Sequence, residues 1–191
     1  MATTMPKQTG APTNGAGTPT GSDNVLDNRY ARQGKIETDL YPYLKGRIAA
    51  TVYESEFEID DRHPVGVIDA NEPWFVDVAW QLTGDVKHMI CGKWRVKLFM
   101  ENIGLSGDDL ELENDRGLID LDPCGDGYYR TRFSIPANKV TVGDGGTPYK
   151  AVVGITYLTN CPMRGGGFRP GPIAGFVEFP TIQFFKEGIE P

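Results

Sequence analysis

The sequence predicts an all-β fold: a two-sheet β-sandwich of about seven or eight short strands, with immunoglobulin-like or jelly-roll-like connections. Three observations carry that expectation. Apolar and polar residues alternate along WFVDVAWQLTG (74–84) and CGKWRVKLFMEN (91–102), and a period of two marks strands because side chains alternate across a sheet. Clusters of Gly, Pro, Asp and Asn recur between such stretches, where turns belong. No stretch carries a convincing helical period. The immunoglobulin disulfide spacing is absent, so the expectation stops at general architecture, with a small barrel as the alternative.

Residues 1–24, rich in Thr, Gly, Pro and Ala, hold almost nothing to bury and are expected to form a disordered N-terminal tail. Residues 25–46 read as an extended adapter, anchored by Tyr41, Tyr43 and Leu44 and barred from forming a long helix by Pro42. The β-sandwich domain is expected over 47–187, followed by a short C-terminal tail, 188–191.

The first strand candidate is IAATVYESEFEI (48–59), whose irregular alternation suggests a bulge or an edge. HPVGVID (63–69) is a short strand or an extended loop. In the next stretch Trp74, Val76, Val78, Trp80 and Leu82 share one face, leaving Phe75, Asp77 and Ala79 on the other. Likewise Trp94, Val96, Leu98 and Met100 oppose Lys93, Arg95, Lys97 and Phe99. Trp80 and Trp94 are expected to meet in the core. The link between the two, 83–91, suits a hairpin or a crossing; if the strands pair, Asp77 meets Arg95 or Lys97.

DLELE (109–113) and GLIDLD (117–122) are short strands, and DPCGDG (122–127) is a turn. YYRTRFSI (128–135) and YKAVVGITYLT (149–159) are good strands. CPMRGGGFRPGP (161–172) is a loop. IAGFVEFPTIQFF (173–185) is extended, with Pro180 marking an edge or a break.

The chain has 191 residues, enough to bury a core without staples. A net charge of −7 and a pI near 4.9 argue against nucleic acid and anionic membranes as partners. No apolar run approaches the ~20 residues that span a bilayer. The first residues lack the apolar centre of a secretory signal, so the expected location is cytoplasmic. Three cysteines (Cys91, Cys124 and Cys161) make no disulfide framework and read as free thiols.

Catalytic signals are sparse, and the chain is not expected to be an enzyme. There is no GxSxG elbow. His88 and Cys91 have a chelating spacing, but a zinc site would need the distant Cys124 and Cys161 to complete it; the plainer reading is a loop histidine and a buried cysteine. Acidic residues crowd 108–126. Asp120, Asp122 and Asp126 are the candidate metal ligands, suited to calcium by their oxygen donors. The plainer reading is a solvated acidic face. No cofactor is expected.

Arg164, Phe168 and Arg169 place cations around an aromatic tip in the loop 163–175. Arg and aromatic residues are common interface anchors, so these three are candidate interaction residues. Phe75 and Phe99, on the faces away from the tryptophans, join them as residues awaiting cover. The reading that follows is a non-catalytic structural or protein-interaction module, a subunit of a larger or homo-oligomeric assembly. Its partner is another protein or further copies of the chain. The alternative is a small-ligand or carbohydrate-binding β-sandwich, with or without calcium.

Overall fold

The structure, a computed structural model, describes residues 25–54, 65–104, 107–143, 145–159 and 167–186. The expected tail 1–24, the end 188–191, Arg164, Cys161 and the strand half at 55–59 lie outside the described residues.

The strands in chain order are β1 (Arg32–Thr38), β2 (Lys45–Tyr53), β3 (Val67–Asp69), β4 (Trp74–Thr83), β5 (Gly92–Asn102) and β6 (Leu110–Glu113). They continue as β7 (Ile119–Asp120), β8 (Tyr128–Ile135), β9 (Thr147–Thr159), β10 (Arg169–Glu178) and β11 (Ile182–Phe185). They form one mixed sheet of 11 strands, in which only β3 and β11 pair in parallel. Two separate sheets were expected. The reason for the difference is β9, which pairs along one edge with β5 and along the other with β10 and β11. β1 then joins β10 to β2, so the hydrogen bonding is continuous from β5 to β8.

The adapter thus supplies a strand paired on both sides. It begins with a 3-10 turn at Val25–Asp27 and reaches β2 through a turn holding the cis Tyr41–Pro42 peptide.

β4 and β5 are not paired, and the 83–91 link crosses between them. Yet Trp80 and Trp94 touch, with ring centroids 5.9 Å apart, and both are fully buried. Two strands far apart in the sheet meet across the core only if the sheet curls. Tyr129 stacks on Trp80 at 5.6 Å, and Tyr157 meets Trp94 edge-on at 5.9 Å. Such aromatic pairs add about 0.5–1.5 kcal/mol beyond their burial.

The curl brings β8 near the β6–β7 link. Asp115 N–H donates to Arg132 O (2.9 Å), and Ser134 N–H donates to Asp115 Oδ1 (2.9 Å). Buried Asn114 donates to Val96 O on β5 (3.1 Å) and accepts from Thr131 Oγ1 on β8 (2.8 Å). One side chain therefore ties together two strands that lie far apart in the sheet order.

Both faces of β4 are buried. The inner face packs in the core. On the outer face Ala49 lies opposite Ala79, and these small residues let Leu26 and Ala31 settle over the strands. β5 shows the simple alternation instead: Trp94, Val96, Leu98 and Met100 are buried, while Arg95 and Phe99 are exposed.

Candidate functional site

Asp77 meets neither Arg95 nor Lys97, because its strand pairs with β2 and β8 instead. Arg132 Nε donates to Asp77 Oδ1 at 2.8 Å, and Tyr53 OH donates to Oδ2 at 2.8 Å. Asp77 is buried by these neighbours, and a buried carboxylate requires such partners. Phe75 joins the same group. It stacks on Tyr53 at 5.5 Å, and the Arg132 guanidinium sits 5.6 Å from its ring centroid. Only 8% of Phe75 is exposed, so its cover comes from within the chain. Phe75 and Phe99 stand on strands that do not pair and lie far apart in the sheet order.

Phe99 is different. It points outward from β5 and is 43% exposed. A Cβ built on Gly154 would lie 3.4 Å from the Phe99 ring, so the ring leans over a residue that has no side chain. On the far side of Gly154, directly across the β9–β10 pair, stands Phe176, 47% exposed. Two outward phenylalanines thus bracket one glycine on central strands. The sequence reading missed Phe176. Its signal was the parity of 173–179, where Ile173, Val177 and Phe179 are buried and Ala174, Phe176 and Glu178 face out.

The registers align this face into rows. One runs Lys97, Gly154, Phe176, Lys35, and the next runs Arg95, Thr156, Ala174, Glu37. Lys97 is held by Glu111 and Glu113, and hydrogen bonds to those two carboxylates, Glu111 first, raise its pKa above the ordinary value. Arg95 and Glu37 make no ion pair among the described residues.

Phe168 and Arg169 lie at the start of β10, both exposed. Lys93 Nζ sits 5.5 Å from the Phe168 ring centroid and bonds Asp120 at 2.7 Å. One of the proposed metal ligands is thus engaged by a lysine. The other two serve turns: Asp122 Oδ1 accepts from Cys124 N–H (2.9 Å), and Asp126 Oδ1 from Tyr128 N–H (2.8 Å). Short aspartate side chains commonly bond the backbone two residues on. The structure does not bring the three together, and no group of three or more His, Cys, Asp or Glu among the described residues could hold a metal ion.

His88 Nδ1 lies 2.6 Å from Pro123 O. Cys91, expected to be buried, is exposed, as is Cys124. The Cys91 carbonyl accepts from Tyr157 OH at 2.9 Å.

No helix among the described residues is long and apolar enough to cross a membrane. Comparison with protein-family models, with curated proteins and with solved structures gives no match. The described residues form an all-β chain built on one large mixed sheet.

Proposed function

We propose that this chain is a non-catalytic structural module that associates with further copies of itself through the outward face of β5, β9 and β10. The observation that carries the reading is the pair Phe99 and Phe176, exposed on either side of Gly154. Apolar surface held on paired strands is preorganised for contact and loses little entropy when covered.

Charge favours a second copy as the occupant. Arg95 and Glu37 end one row, with Thr156 and Ala174 between them. A two-fold axis running along the strands between β9 and β10 sets each Arg95 against the other copy's Glu37, and sets Lys97 with its partners Glu111 and Glu113 against the other copy's Lys35. The same patch then faces itself, as a two-fold interface requires. Phe168 and Arg169, at the β10 start, extend the contact along this face.

Size-exclusion chromatography with light scattering tests the reading. The wild type is expected to run above monomer mass, and Arg95→Glu to shift it towards monomer. The double variant Arg95→Glu/Glu37→Arg is expected to restore association. A wild-type monomer at high concentration, or association indifferent to both changes, overturns the proposal.

A further inference from the structure

A cavity of about 140 Å³ opens where β1 stops short of its neighbours. The first residue of β1, Arg32, pairs with Ala50, while β2 runs on to Tyr53. β10 ends at Glu178, and the chain returns as β11 from Ile182. Among the described residues no strand fills the sheet between these ends. Val65 N–H donates to Val52 O (3.3 Å), and Gln183 N–H donates to Gly66 O (2.8 Å), so the short stretch before β3 forms one side of the opening.

The wall is apolar where Val52, Phe179, Pro180 and Ile182 line it. Arg32 lines it too, is exposed to solvent, and makes no ion pair among the described residues. Thr51 belongs to the same lining, and its Oγ1 is buried with no hydrogen-bond partner, the kind of group that a bound oxygen satisfies. An apolar recess whose guanidinium meets no carboxylate among the described residues has a definite preference. The fork of Arg matches a carboxylate through two parallel hydrogen bonds.

Size narrows the class further. Pockets for drug-sized ligands span roughly 300–1,000 Å³, so a sugar chain or a nucleotide is too large. A cavity of roughly 150 Å³ accepts a benzene-sized group. We propose that this cavity binds a small carboxylate with a compact apolar body, its body against Val52, Phe179 and Ile182 and its carboxylate on Arg32. None of the residues lining the cavity belongs to the rows of the Phe99 and Phe176 face, so loss of self-association would leave this proposal standing.

Benzoate is the probe. Its ring matches the volume, and its carboxylate reaches outward to the guanidinium. Titrating the full chain with sodium benzoate to about 10 mM, followed by calorimetry and methyl NMR, is expected to give saturable binding. The shifts are expected at Val52, Val65 and Ile182. Arg32→Gln is expected to weaken binding at least about tenfold, Arg32→Lys by less, and benzyl alcohol to bind at least about tenfold more weakly than benzoate. Because Arg32 is exposed, both variants are expected to keep the wild-type melting curve. Absence of saturable binding, equal affinity in Arg32→Gln, or equal affinity for benzyl alcohol overturns the proposal.

Discussion

The outer face of β2, β4 and β8 and the outer face of β5, β9 and β10 start from the same alternating pattern and end differently. On the first, a 3-10 turn brings Leu26 over Ala49 and Ala79, and Arg132 lies across Tyr53 and Phe75. On the second, Phe99 and Phe176 stand out beside Gly154. The difference comes from what lies between the large residues. Alanines opposite each other leave a shallow bed on which a chain segment can lie. A buried aspartate holds an arginine in place above the rings. Among the described residues the second face has neither device, since Lys97 is drawn sideways to Glu111 and Glu113. An outward aromatic is therefore covered or bare according to its neighbours rather than its own place in the alternation.

Four experiments sharpen or break that contrast. The largest effect belongs to the core beneath both faces: Trp94→Ala is expected to cost about 3–5 kcal/mol in urea unfolding. A near-native midpoint would show that the faces do not share a core. Next, Asp77→Ala strips the covered face of its anchor. It removes one partner from Arg132 and one from the Tyr53 hydroxyl and is expected to cost about 2–3 kcal/mol, discounted because Arg132 is partly exposed.

Third, Tyr128 packs against the Leu26 cluster, and its hydroxyl is buried without a partner. Tyr128→Phe is expected to be neutral or to stabilise by up to about 1 kcal/mol. Burial raises the Tyr128 pKa above its ordinary 10.0, so the unfolded chain loses this proton first as the pH rises. The stability is intact below about pH 10 and falls above it. Tyr129 and Tyr149 act in the same direction, also through burial. Melting curves from pH 9 to 11 should thus fall less steeply in the Phe variant. The smallest effect on folding is expected on the bare face. Phe99→Ser/Phe176→Ser should move monomer stability by less than about 0.5 kcal/mol while removing self-association. A loss as large as that of Asp77→Ala would mean that the face is covered after all.

Much of the fold was legible because it depends on local period. The tryptophan strands, the 128–135 strand and the turns at 122–127 all follow from spacing, and Trp80 does meet Trp94. What spacing does not carry is which strands pair. That β9 reaches β5 on one side and β10 on the other depends on contacts distant in sequence. The same limit misplaced Phe75, whose cover comes from Tyr53 and Arg132, 22 and 57 positions away by residue number. It also scattered Asp120, Asp122 and Asp126, which are close in the chain but committed to a lysine and to two separate turns. Phe99 was found because its exposure follows directly from parity on a strand with one solvated face.

The Asp115 link along β8 has a consequence for how copies can join. Asp115 takes up the Arg132 carbonyl and the Ser134 amide, and Arg116 reaches the Arg130 carbonyl at 3.5 Å. Three main-chain groups on that margin are thereby engaged, and an incoming chain finds the ladder interrupted there. Growth by templated strand addition, the route to fibres, is hindered at this margin. At this margin a second copy would have to be met mainly by side chains, which can be tuned one residue at a time.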